Sequence, residues 1–124
     1  MKKNKILLQL ITITLVITSV TTAQSKINVN HLLDYGGLKY MPNSDKPFNG
    51  KVFELYDSGR KHWEKRYIKG IANGYYRSWY KNGQLEFKGR LKQGVKTGLF
   101  TSYNEDGKKI KEAHYKNDIL HGPF

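Results

Sequence analysis

Residues 73–96, NGYYRSWYKNGQLEFKGRLKQGVK, decide the fold, because the stretches before and after them repeat their layout. Residues 49–72 read NGKVFELYDSGRKHWEKRYIKGIA and residues 97–120 read TGLFTSYNEDGKKIKEAHYKNDIL. Glycines fall at Gly50, Gly74, Gly98 and Gly122, and again at Gly59, Gly83 and Gly107, each 24 residues after the last. A fixed period of this size is the signature of a stacked repeat array, in which one supersecondary unit leans on the next.

Each unit spells out two strands and a tight turn. First strands are expected at 50–56, 74–80 and 98–104, and second strands at 60–68, 84–92 and 108–116. Between them lie Asp57-Ser58-Gly59, Lys81-Asn82-Gly83 and Glu105-Asp106-Gly107. Asn-Gly and Asp-Gly accept the positive φ that twisted hairpins demand. In the second strands the period is two: Trp63 and Tyr67 alternate with His62, Glu64 and Arg66, while Leu85, Phe87, Gly89 and Leu91 alternate with Glu86, Lys88, Arg90 and Lys92. One face is therefore apolar and the other charged. The third unit is less regular, with Lys111 where Trp63 and Phe87 stand.

Large side chains also recur in the first strands, Val52, Tyr76 and Phe100 at one position and Leu55, Trp79 and Tyr103 at another. Stacked, they predict ladders along one elongated all-β antiparallel sheet of about seven strands. The many tyrosines suit such a thin sheet, because each covers surface while keeping its hydroxyl in water.

Outward from the array, GGLKYM at 36–41 reads as a short strand, and PNSDKP at 42–47 is a dense turn signal. Residues 24–35 read as a weakly structured lead-in. At the far end HGPF, residues 121–124, opens a partial fourth unit, and the array as a whole occupies 36–124. Pro123 cannot donate to a ladder, which suits a blunted last edge or a continuation beyond the sequence.

The first residues carry a different message. MKKNK supplies Lys2, Lys3 and Lys5, residues 6–20 are apolar and threonine-rich, and Thr21, Thr22 and Ala23 are small. That layout is a secretory signal over residues 1–23, cleaved near Ala23. Cleavage takes the formal charge from +12 to +9 over the remaining 101 residues. A periplasmic or secreted location is expected; the alternative is an inner-membrane anchor formed by an uncleaved N-terminus. With no cysteine, disulfides, thiolate metal sites, thiol catalysis and lipidation at cysteine are excluded.

The unit G-x-(Y/F)-x-x-(W/Y)-(Y/N)-x-x-G, followed by a charged and aromatic strand and a second turn, resembles the bacterial variant of the MORN repeat. The opening GGLKYMPNSDKPFNGKVFELYDSGRKHWEKRYIKG at 36–70 is similar to the start of the YwqK-like antitoxin family. Gly50, Gly74 and Gly98 match the unit-opening glycine, Tyr76 and Phe100 the next aromatic, Trp79 and Tyr103 the mid-strand aromatic, and Gly59, Gly83 and Gly107 the turn glycine. Val52, Leu55 and Asn104 depart from the pattern. The resemblance implies a structural or binding role without catalysis; classical arrays of this kind are associated with membrane attachment, anionic phospholipids and protein scaffolding. The family name implies a neutraliser of a toxin partner, which an exported chain could not meet in the cytoplasm.

Basic residues recur on the charged face. Arg66, Lys88, Arg90, Lys92, His114 and Lys116 are the candidates for contact with an anionic partner, and Lys65, Arg77 and Lys96 add to the same field. Against this stands an ordinary solvated face with Glu64, Glu86 and Glu112 interspersed. Basic charge among aromatics also fits single-stranded nucleic acid, which export disfavours. The histidines at 31, 62, 114 and 121 lack metal-ligand spacing, and Ser58, Ser78 and Ser102 lack a strained elbow and a base. No cofactor, small-molecule substrate or catalytic residue is expected. The sequence thus points to a non-catalytic exported module that binds a protein or an anionic envelope component, lipid or polysaccharide, with an antitoxin-like neutraliser as the alternative.

Overall fold

The computed structural model describes residues 26–121. The stretch read as a secretory signal, with its expected cleavage near Ala23, and Gly122, Pro123 and Phe124 lie outside them. In chain order the strands are β1 (Lys26–Asn28), β2 (Leu33–Tyr35), β3 (Leu38–Tyr40), β4 (Gly50–Leu55), β5 (Lys61–Ile68), β6 (Ile71–Trp79), β7 (Leu85–Lys92), β8 (Val95–Tyr103), β9 (Lys109–Lys116) and β10 (Ile119–His121).

Turn chemistry explains the connections. At Lys69-Gly70, Gln93-Gly94 and Asn117-Asp118 both residues have φ between 50° and 82°, the signature of two-residue hairpin loops whose twist matches that of the strands. The other hairpins close on longer loops: Gly59 N donates to Tyr56 O at 2.8 Å and Tyr56 N to Arg60 O at 2.8 Å. Gly83 and Gly107 repeat that arrangement, donating to Tyr80 O and Asn104 O. All three glycines sit at φ of 87° to 91°, where a Cβ would be strained.

Eight strands form one sheet in the order β1-β4-β5-β6-β7-β8-β9-β10, and β2 and β3 pair separately. The sheet is antiparallel from β4 to β10, but β1 joins β4 in parallel, with Ile27 beside Val52. This corrects the expectation of about seven strands. The strand at 36–41 is present as β3 but pairs outside the sheet, whereas the lead-in supplies β1 and residues 119–121 supply β10. Nor is the lead-in weakly structured: after β1 come a 3-10 turn at Val29–His31 and then β2, and Ile27, Val29 and Leu32 pack on the core. Burial of those scattered apolar side chains is what orders it.

Successive hairpins are tied to one another beyond the strand ladders. Gly70 N donates to Phe48 O at 2.8 Å, Gly94 N to Ala72 O at 2.8 Å and Asp118 N to Lys96 O at 3.0 Å. At the opposite ends of the strands Tyr56 Oη donates to Trp79 O at 2.6 Å and Tyr80 Oη to Tyr103 O at 2.8 Å. Two tyrosine hydroxyls expected to stay wet thereby bridge strands instead.

Residues directly opposite in the ladders share a face, so the registers sort the side chains. Val52, Trp63, Lys65, Tyr67, Ala72, Tyr76, Phe87, Gly89, Leu91, Phe100, Ala113 and Tyr115 lie on one face. Its core is Phe48, Val52, Tyr67, Ala72, Leu91 and Phe100. Along it Tyr76 and Phe87 meet edge-on at 4.7 Å, and Phe100 and Tyr115 at 5.2 Å. Phe100 also covers Gly89, where an added Cβ would stand 2.5 Å from the ring. Only glycine fits there.

Leu55, Trp79 and Tyr103 are on the other face, so the two expected ladders are back to back. Three positions separate Val52 from Leu55, Tyr76 from Trp79 and Phe100 from Tyr103, and an odd step in a strand reverses the side.

Candidate anion-binding face

The second face carries most of the candidate residues. Register places Arg66 opposite Lys51, Arg90 opposite Tyr75 and Thr97, Lys88 opposite Arg77 and Thr101, Lys92 opposite Val95, His114 opposite Leu99, and Lys116 opposite Ile119. All six therefore share one side. Strand alternation sends their side chains there, while the apolar residues between them turn to the core.

Lys65 and Lys96, expected in the same field, lie on the apolar face instead. Lys65 Nζ is 4.7 Å from the Trp63 ring centre and 4.5 Å from that of Tyr76. Lys96 Nζ is 5.0 Å from the Tyr115 ring and 5.5 Å from Phe100. Their stems cover core aromatics and their ammonium groups rest on the π-faces. Burial holds the Lys65 ammonium below the ordinary lysine value.

Two acids face the cations, and both are occupied. Glu64 is 6% exposed and is held by Lys61 Nζ at 2.7 Å, Lys26 Nζ at 3.2 Å and the Tyr75 hydroxyl at 2.8 Å. Burial pushes its carboxyl up, but the hydrogen bonds from Lys61, Tyr75 and Lys26 outweigh it and bring the pKa down to about 2. Burial and the same carboxylate raise Tyr75 to about 12. Glu112 is bound by Lys109 at 2.7 Å. Glu86, counted among the compensating acids, accepts from Ser78 Oγ at 3.0 Å on the apolar side.

What remains is a surplus of positive charge at the middle of the sheet. Arg77, Lys88 and Arg90 line a shallow open depression of about 350 Å³ together with Tyr75, Thr97 and Thr101, and no acidic residue contributes to it. Among the described residues none of the three cations has a carboxylate within salt-bridge distance. Arg77 stands directly opposite Lys88 on one side and Glu64 on the other. Glu64 is taken up by Lys61, Lys26 and Tyr75, and the like-charge pairing with Lys88 costs stability unless an anion bridges it. The Arg77 guanidinium lies 5.2 Å from the Tyr75 ring centre, which fixes where it points.

The depression gathers Lys88 and Arg90 from the sequence candidates. Arg66 lies one strand beyond Arg77, its stem packed 3.2 Å from where a Cβ on Gly74 would stand. Lys92, His114 and Lys116 flank the depression without lining it. Arg77 is the member that sequence pattern undervalued. Its counterparts in the neighbouring units are Phe53 and Thr101, so no repeating charge marks the position. Only the pairing of 77 with 88 across the Lys81-Asn82-Gly83 turn reveals it.

His62 also departs from the expected plain surface role. Its Nδ1 lies 2.8 Å from Glu54 Oε2, which also accepts from Trp63 Nε1 at 2.7 Å, and its ring stacks on Tyr56 at 4.3 Å. The hairpin brings together residues that the linear sequence separates. Among the described residues no group of three His, Asp or Glu side chains is placed to hold a metal ion, and no helix is long and apolar enough to cross a membrane. Comparison with protein-family models, with curated proteins and with solved structures returns no match.

Proposed function

We propose that the chain is a non-catalytic binding module that receives an anionic partner on the cationic face of its sheet. The observation that carries this is the depression of Arg77, Lys88 and Arg90, three cations with no carboxylate among its lining residues. Like charges opposed on neighbouring strands are a cost to the folded chain, and a bound anion offsets it. The reading includes a stacked array of hairpins with a period of 24 residues, similar to the bacterial MORN variant, and export after cleavage near Ala23. Support for the array comes from turn contacts that recur between neighbouring hairpins, at Gly70, Gly94 and Asp118 and at Tyr56 and Tyr80. Support for export comes from the lysine-led, threonine-rich first 23 residues.

Titration of the purified chain with anionic polymers and vesicles, beside neutral counterparts, tests the reading. Binding requires negative charge on the partner and weakens roughly tenfold or more as salt rises from about 0.05 M to about 0.3 M. Equal affinity for neutral and anionic partners contradicts it.

A further inference from the structure

We infer that the cationic face holds a linear track for an acidic polysaccharide, a polymer of hydroxyl-rich rings bearing carboxylates. The inference rests on the anionic-partner reading and narrows it to one chemistry. Two shallow depressions mark the track. One is lined by Arg60, Lys61, Trp79 and Gly83, the other by residues including Tyr75, Arg77, Lys88 and Arg90. Trp79, Arg77 and Tyr75 are alternate residues of β6, so they share a face and succeed one another over roughly 13 Å. The track therefore runs along one strand, with a cation row from β7 beside it.

Its free hydrogen-bonding groups suit an oxygen-rich ligand. Trp63 on the opposite face donates its indole N–H to Glu54, whereas the Trp79 N–H has no partner among the described residues. Among the described residues no buried polar side-chain atom is left unpaired, so the Trp79 N–H opens to solvent at the start of the track. Sugar hydroxyls and carboxylates accept from such a donor, and Arg77 and Arg90 can each take a carboxylate bidentately.

Two other anionic polymers or surfaces fit less well. The rings on this face already carry cations: Lys61 Nζ is 5.2 Å from the Trp79 ring, Arg77 Cζ 5.2 Å from Tyr75 and Lys88 Nζ 6.0 Å from Tyr103. Rings engaged in this way leave little bare surface for nucleobases, whose stacking supplies much of single-strand affinity. A bilayer presents a plane of headgroups and draws on every cation of the face, Lys51, Arg66, Lys92 and Lys116 included. A single polymer strand depends on the track.

Calorimetric titration of the full chain with polygalacturonate, neutral dextran, phosphatidylglycerol vesicles and oligothymidylate tests this. Polygalacturonate is expected to bind most tightly and dextran not at all. Arg77→Gln with Arg90→Gln weakens uronate binding at least tenfold, and Trp79→Phe, which keeps a ring but removes the N–H, weakens it severalfold. Lys46→Gln with Lys111→Gln, the same charge removed from a loop and from the opposite face, changes it less than twofold. Thermal melting of each variant shows that the fold is retained. Tighter binding to vesicles or to oligothymidylate overturns the inference while leaving the anionic-partner reading intact; binding to no polyanion removes both. A loss from Lys46→Gln with Lys111→Gln as large as that from the track variant also overturns it.

Discussion

Trp63 and Trp79 stand near the same end of the sheet, one on each face, and the same side chain has opposite surroundings. Trp63 sits among core residues, with its N–H on Glu54 and the Lys65 ammonium over its ring. Trp79 faces the cationic side, covered by Lys61, with its N–H unpaired among the described residues. The difference extends to the faces themselves. On the apolar face, cations and acids serve the packing of Tyr76, Phe87, Phe100 and Tyr115. On the other, the acids are occupied at Glu64 and Glu112, and the three cations that line the depression have no carboxylate partner among the described residues. Stability is concentrated on one side and uncompensated charge on the other.

The largest expected effect tests the apolar face. Phe100→Ala removes the ring that bridges Phe87 and Tyr115 and covers Gly89, and should cost about 3 kcal/mol in chemical denaturation. A loss under about 1 kcal/mol would break the division of labour. Next comes Glu64, the structural exception on the cationic face. Its folded pKa of about 2 lies below the ordinary value of 4.5. The stability it contributes is full above the unfolded value and is lost as pH falls toward 2. Glu64→Gln should lower stability at neutral pH by about 2 kcal/mol and flatten the acid limb of the stability profile. An unchanged limb would contradict the assigned role.

Much of this was legible in the sequence, and what was not has physical causes. The three turn glycines, the six long strands to within a few residues at their ends, and most of the apolar set from Trp63 to Tyr115 follow from period two and local turn chemistry. Leu85 is the exception, because an irregularity in the register sets it opposite Trp79 on the cationic side. β1 does not, because its parallel partner β4 lies far along the chain and three residues of mixed polarity carry no periodic signal. Assigning Lys65 and Lys96 to the cationic field failed for another reason: each alternates in phase with aromatic neighbours, and only a long aliphatic stem lets a lysine remain there. Of the candidate site, Lys88 and Arg90 were readable from alternation. Arg77 and the open Trp79 N–H required knowledge of which strand lies beside which.

Smaller effects sharpen the comparison of the two tryptophans. Trp63→Phe loses the hydrogen bond to Glu54 and should cost about 1 kcal/mol, while Trp79→Phe, with no such bond to lose, should cost less than about 0.5 kcal/mol in the same denaturation series. Equal costs would show that the two indoles are held alike. Smallest of all is Lys88→Gln. Relief of its opposition to Arg77 should leave stability unchanged or raise it by a few tenths of a kcal/mol, even as affinity for polyanions falls at least threefold.

The central claim is that recognition belongs to one face. Removing two positive charges from either side puts it to the test: Arg77→Gln with Arg90→Gln on the cationic face, against Lys65→Gln with Lys96→Gln on the apolar face, each titrated with polygalacturonate over a range of salt. The account predicts that the first pair lowers both affinity and its salt dependence, while the second pair lowers stability and leaves binding by the folded chain within twofold. Equal loss of binding from both pairs would contradict it.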